Sequence, residues 1–184
     1  NQRDHRPAVG PVPGSGGDGL VVAGPGGQGT GSSTAAKARV AARRAAVKAV
    51  PESYEDLNLT TRCLAFTAAG PPMTPSVYNN NYQIVQTDDH VLIVNEMVHE
   101  TRIIALDGRP PTDERIRLWL GSSRGHWEGD TLVVVTTNRG PEPVFFGSAE
   151  NMRLTERFTR VADGVLLYEV TVDDPEEFTR AGTA

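Results

Sequence analysis

"MRLTERFTRVADGVLLYEVTV", residues 152–172, alternates apolar and polar side chains on either side of a short turn. Leu154 and Phe158 fall on one parity, and Arg153, Thr155, Arg157 and Thr159 on the other. Successive side chains of a strand point to opposite faces, so this period of two reads as a half-buried strand. Ala162, Asp163 and Gly164 turn the chain. On the return, Leu166, Tyr168, Val170 and Val172 share a face. The pattern predicts an antiparallel hairpin with Leu154, Phe158, Leu166, Tyr168 and Val170 buried and Arg153, Arg157 and Glu169 exposed.

Upstream the same grammar repeats. "YQIVQT" (82–87), "HVLIVNEMV" (90–98), "ETRIIALD" (100–107) and "TLVVVTTN" (131–138) read as strands, with turns at Asp88-Asp89 and Gly129-Asp130. "GHWEG" (125–129) pairs with 131–138, and this parity sends Trp127 to the core. "GRPPTDE" (108–114) is a loop, because Pro110 and Pro111 cannot donate to a ladder. "RIRLWLG" (115–121) is ambiguous, and residues 62–81 read as a loop leading into the sheet. At least six strands joined by short links predict a mainly β fold, an antiparallel meander forming a barrel or sandwich over residues 82–184.

Residues 1–33 differ in kind. They hold ten of the nineteen glycines and four of the thirteen prolines. Gly24, Gly26 and Gly29 spell G-x-G-x-x-G after an apolar run at 20–23. A dinucleotide cradle also needs a second buried strand after its helix. The segment in that position is "ESYEDLNLTT" (52–61), too polar to be one. A phosphate loop fails as well, since Ser32 stands where lysine is required. The remaining reading is a Gly/Pro-rich extended arm with too little apolar surface to offset its own ordering. Val9, Val12, Leu20, Val21 and Val22 are its isolated anchors for a partner protein. Next comes a basic helix over 34–51, capped by Ser33 or Thr34, rich in helix formers and ended by Pro51. Residues 52–81 form a loop-rich connector.

Charge divides the same way. Residues 1–51 carry seven basic and two acidic side chains, a net +5, while residues 52–184 carry eleven against twenty-one, a net −10. A basic arm on an acidic body suits an acidic protein surface or anionic lipid, reached through Arg39, Arg43, Arg44 and Lys48. Nucleic acid is excluded as a partner, because the body is acidic and the arm lacks interleaved aromatics. Cys63 is the lone cysteine, so an intrachain disulfide and a cysteine-rich metal site are both ruled out. No run of 18 apolar residues is present. The start at Asn1 reads as a processed or trimmed terminus.

"YNNNYQIVQT", "NEMVHETRIIALDGRP", "SRGHWEGDTLVVVTTN", "SAENMRLTERFTRV" and "YEVTVDDPEEFTR" occur in this order. Over roughly residues 62–184 the chain resembles a group of bacterial exported proteins that share the R-G-x-W-E-G-D-T-L-V-V stretch. The resemblance implies export to the periplasm. The group's function is not established, so no catalytic residue carries over. The Gly/Pro arm and basic helix depart from the group, whose members usually begin with a Trp-containing strand.

Three clusters hold groups capable of chemistry. Glu96, His99, Glu100 and Arg102 surround a strand junction, where His99 could act as a base. Glu96, Glu100 and Arg102 share a parity that His99 does not, which favours a cross-strand charge network. His126, Glu128 and Asp130 are spaced i, i+2, i+4, as a divalent cation site would need. Asp130 sits at a hairpin corner, where Asp serves its own backbone, and the turn reading is preferred. Tyr78, Asn80 and Tyr82 could orient a polar ligand at a barrel mouth, or simply turn the chain before a strand. No G-x-S-x-G elbow, H-E-x-x-H helix or metal-spaced Cys/His set is present.

The expected function is therefore a non-enzymatic, exported accessory subunit with no cofactor. It docks through its arm on other protein subunits of a larger membrane-associated assembly, photosynthetic or respiratory. The alternative is a small-molecule-binding or hydrolase-like β-barrel using its interior, with Tyr78, Asn80, Tyr82, Glu96 and His99 in the site.

Overall fold

A computed structural model describes residues 33–48, 50–66, 70–74, 81–140, 150–178 and 182–183. Helix α1 spans Thr34–Ala46. The strands are β1 (Tyr82–Gln86), β2 (His90–Asn95), β3 (Thr101–Ala105), β4 (Ser122–Glu128), β5 (Thr131–Thr137), β6 (Arg153–Ala162), β7 (Val165–Asp173) and the two-residue β8 (Gly182–Thr183). They lie in sequence order in one sheet, which curls into a half-barrel.

The mainly β reading holds, and the hairpin at 152–172 forms with Leu154 opposite Val172 and Phe158 opposite Tyr168. One link departs from a pure meander. β3 and β4 run parallel, paired only as Ile104 with Ser123 and Ala105 with Arg124. Residues 106–121 make the return that parallel pairing requires. Gly121 ends that return at φ +75°, and a Cβ there would stand 2.5 Å from the Thr137 carbonyl oxygen, so only glycine fits without displacement.

β2 also stops earlier than its apolar run suggests. Asn95 Oδ1 accepts the Met97 amide at 2.7 Å, the Asx-type bond that replaces a ladder by a turn. Met97–His99 is a short 3-10 turn in which Val98 and His99 take positive φ. β4 begins three residues before Gly125, at Ser122. Helix α1 ends well before Pro51. The residue ahead of a proline is pushed out of the helical region, and the last turn unwinds with it.

The concave face holds the core. Val91, Ile93, Ile104, Leu132, Val134 and Phe158 form one cluster, against which Met73, Tyr82, Leu106 and Tyr168 pack. Met152, Leu154, Val170, Val172 and Phe178 form a second. Gly125 lets β3 come close, since a Cβ there would fall 2.9 Å from Ile104 and 2.8 Å from Leu106. The connector contributes too: Pro71 and Pro72 are fully buried, and the Met73 amide donates to the Tyr168 hydroxyl at 3.1 Å.

Two expected core residues are exposed. Trp127 has the concave parity and stands opposite the buried Leu132, but β3 pairs with β4 only as far as Arg124, so no β3 residue flanks Trp127 on its other side, and it is 47% exposed. Leu166 sits near the tip of the β6–β7 hairpin, where a register shift between Arg160 and Ala162 carries the strands beyond the core. Leu154, Phe158 and Val170 are buried, Tyr168 is half-buried, and Arg153 and Glu169 are exposed. Arg157, expected outside, is partly covered by its pairing with Glu128.

Candidate functional site

Five consecutive strands each place one polar side chain on the concave face. Arg102 comes from β3, Ser123 from β4, Thr136 from β5, Glu156 from β6 and Tyr168 from β7. Arg102 donates to Ser123 Oγ (2.9 Å), Thr136 Oγ1 (2.8 Å) and Glu156 Oε1 (2.9 Å), and its Nη2 also meets Glu156 Oε2. Tyr168 donates its hydroxyl proton to Glu156 Oε1 at 2.9 Å, while Ser123 and Thr136 share a 2.9 Å bond. Glu156 is wholly enclosed and Arg102 nearly so. A buried pair of this kind survives because almost every lone pair and proton finds a partner. Burial, followed by the Glu156 charge, pushes the Tyr168 phenol well above its ordinary range, so it keeps its proton at physiological pH, donating to Glu156 while accepting from the Met73 amide.

Beside this network the polar groups are less well matched. Both carboxylate oxygens of Glu100 are buried without a hydrogen bond of ordinary geometry, as are Asn95 Nδ2 and Arg139 Nε. Burial holds the Glu100 carboxyl up at about 7; the Phe66 backbone and the Arg139 charge oppose the shift without cancelling it. Burial likewise lowers Arg139 to about 10, helped by the like charge of Arg102. Arg139 Nη1 donates to the Pro71 carbonyl, tying the connector to the end of β5. Asn95, Glu100 and Arg102, with Gly70, Met73, Ile93 and Leu120, line a cavity of about 10 Å³. That is room for about one water molecule.

Of the residues singled out from the sequence, Glu100 and Arg102 line this cavity, and Glu96 and His99 do not. Glu96 is exposed and accepts from Asn81 Nδ2 at 2.7 Å. His99 is exposed on the turn after β2. The expected charge network among Glu96, Glu100 and Arg102 is not formed. The turn at 97–99 breaks the strand parity, and Arg102 pairs with Glu156 instead. Tyr82 is half-buried against the core, and burial raises its phenol. Tyr78 and Asn80 lie outside the described residues, as do Val9, Val12, Leu20, Val21 and Val22.

On the convex face, His126 Nε2 lies 3.2 Å from Glu128, whose other oxygen pairs with Arg157 at 2.9 Å. Of the basic residues, Arg39 reaches the Glu176 carbonyl at 3.0 Å and Glu177 at 3.4 Å. The Ser33 hydroxyl donates to Glu176 O at 2.8 Å, so the root of the helix is fastened to the segment after β7. Lys48 pairs with Glu52 and Asp56. The side chains of Arg43 and Arg44 lie outside those described.

Sequence reasoning missed Glu156, although a signal for it exists. It shares the parity of Leu154 and Phe158, and a carboxylate between two core positions needs a buried cation. A second group of residues is hidden by the ambiguity of 115–121. Ile116, Leu118 and Trp119 are 50%, 45% and 42% exposed on the return between β3 and β4. This return is firmly held. The Leu118 amide donates to Asn138 O, and the Gly140 amide to Leu118 O, both at 3.0 Å. Asn138 Nδ2 binds the Thr112 and Asp113 carbonyls, and Arg117 reaches the Glu150 carbonyl at 2.8 Å.

No helix among the described residues is long and apolar enough to cross a membrane. No protein-family model, no curated protein and no solved structure matches the chain.

Proposed function

We propose that this chain is a non-enzymatic accessory subunit that docks on other protein subunits of a larger assembly. The observation that carries the reading is the apolar triad Ile116, Leu118 and Trp119, exposed on a return held by backbone bonds on both sides. Large apolar side chains on a rigid element lose little entropy on binding, and tryptophan is enriched among the residues that carry the binding energy of protein interfaces. The polar cluster inside the half-barrel supports the same reading, because its strong donors and acceptors are spent on one another rather than presented to a ligand. The arm at 1–33 is the second proposed contact.

An exported, periplasmic setting is supported by the resemblance over 62–184. Contact with an anionic membrane would rest on Arg43 and Arg44, since Arg39 and Lys48 already pair within the chain. The assembly could be respiratory or photosynthetic.

The test is gentle detergent extraction of the tagged full chain, with identification of whatever copurifies. A discrete set of subunits, retained by wild type and lost from Trp119→Ser, is the expected result. Elution alone as a soluble species that turns over a small molecule would overturn the proposal.

A further inference from the structure

β1 is the first strand of the sheet, and among the described residues no strand lies on its other side. Edge strands usually carry a defence: a lysine, a proline, a bulge or an inward charge. β1 reads Tyr-Gln-Ile-Val-Gln and has none. The nearest acidic groups, Asp88, Asp89 and Glu96, lie beyond the strand. β7 also has an open stretch of edge, but Glu169 stands exposed in its middle.

The backbone of β1 fixes which groups are offered. Asn81 O accepts from Glu96 N, and Thr87 N donates to His90 O. In an antiparallel ladder alternate residues bond to the same neighbour. Residues of the parity of 81 and 87 therefore face β2, and Ile84, at the centre of the strand, points its N–H and C=O outward. Ile84 is also 46% exposed and Val85 40%.

From this geometry we infer that β1 pairs antiparallel with β1 of a second copy, about a twofold axis through Ile84. This register sets Ile84 opposite its own equivalent as a hydrogen-bonded pair and Gln83 across from Val85. It meets no like charge within the strand and covers Ile84 from both sides. The self-complementary register is what favours a second copy over a foreign strand, because one patch serves both partners and the contact closes. The inference is independent of the docking role proposed above, which uses a different segment.

Sedimentation of the full chain between about 1 and about 100 μM tests it. A reversible dimer is expected, weakened about tenfold or more in Ile84→Lys. Gln86→Pro gives the same result should the lysine variant misfold, since it removes an N–H of the outward parity that β1–β2 pairing does not use. In a Cys63→Ser background, Ile84→Cys should form an interchain disulfide under mild oxidation. Cα atoms of a hydrogen-bonded antiparallel pair lie about 5.5 Å apart, within disulfide range. A monomer throughout the concentration range would overturn the inference. So would a dimer that survives both edge substitutions and does not crosslink at 84.

Discussion

Arg102 on β3 and Glu156 on β6 are separated by two intervening strands, yet they form a two-pronged ion pair across the concave face. A flat sheet would hold them about three strand spacings apart, roughly 14 Å. The pair is thus a tie across the curl, and Ser123 and Thr136 on the strands between complete it.

Removing one end should be costly. Glu156→Ala strands a buried guanidinium and should lose about 3–5 kcal/mol in urea unfolding. The double variant Arg102→Met/Glu156→Leu should lose far less, because no charge is left unpaired. It will not be neutral, since Tyr168, Ser123 and Thr136 lose partners. Equal losses in the single and double variants would show that the pair is not the tie described.

Stability should depend on the protonation of Glu100. Its carboxyl is raised from 4.5 to about 7 in the folded chain. A raised acid keeps its proton in the folded state after the unfolded chain has lost it. The destabilisation is absent below about 4.5, grows with rising pH and is complete above about 7. Glu100→Gln should therefore match wild type near pH 4 and exceed it near pH 8 by roughly 1–2 kcal/mol, after discounting for solvent screening. Thermal melts of both proteins across this range would show it, and parallel curves would contradict it.

The β6–β7 hairpin should divide sharply along its length. Phe158, 5% exposed with its ring centroid 5.0 Å from that of Tyr168, should cost about 3–5 kcal/mol as Phe158→Ala. Leu166, on the same face but 46% exposed, should cost less than about 1 kcal/mol as Leu166→Ala. Chemical denaturation of the two variants compares them directly.

Gly121→Ala should destabilise by about 1–3 kcal/mol or more. It forces a positive φ on alanine and drives a Cβ to 2.5 Å from the Thr137 carbonyl oxygen. Gly129→Ala, with positive φ but open space around it, isolates the conformational part of that cost. Similar melting temperatures for the two would mean that the contact at Gly121 relaxes.

The strands are legible where the period of two runs uninterrupted, as in 131–137 and 153–162. The pattern misleads where a local bond overrides propensity, as Asn95 does in ending β2. Trp127 and Leu166 show a second limit. Parity gives the face of a side chain but not whether neighbouring strands extend far enough to cover it. The parallel step from β3 to β4 is invisible in the sequence because it consists of two backbone pairs, Ile104 with Ser123 and Ala105 with Arg124, rather than a side-chain pattern. Glu156 carries a readable signal in its parity, whereas the parity of Glu100 points to a network that the turn at 97–99 keeps it from joining.

That parallel step divides the molecule. β1–β3 and β4–β7 are each stitched by long antiparallel ladders, while only two ladder pairs join them, beside the side-chain bonds of Arg102. The seam is therefore the weakest line for cooperative opening, and the two strand groups are natural subglobal folding units. Native-state amide exchange should find β2 and β3 opening at a lower free energy than β5 and β6. The Arg102→Met/Glu156→Leu variant should widen that gap. One shared exchange free energy across all seven long strands would show that the seam transmits as much cooperativity as the ladders do.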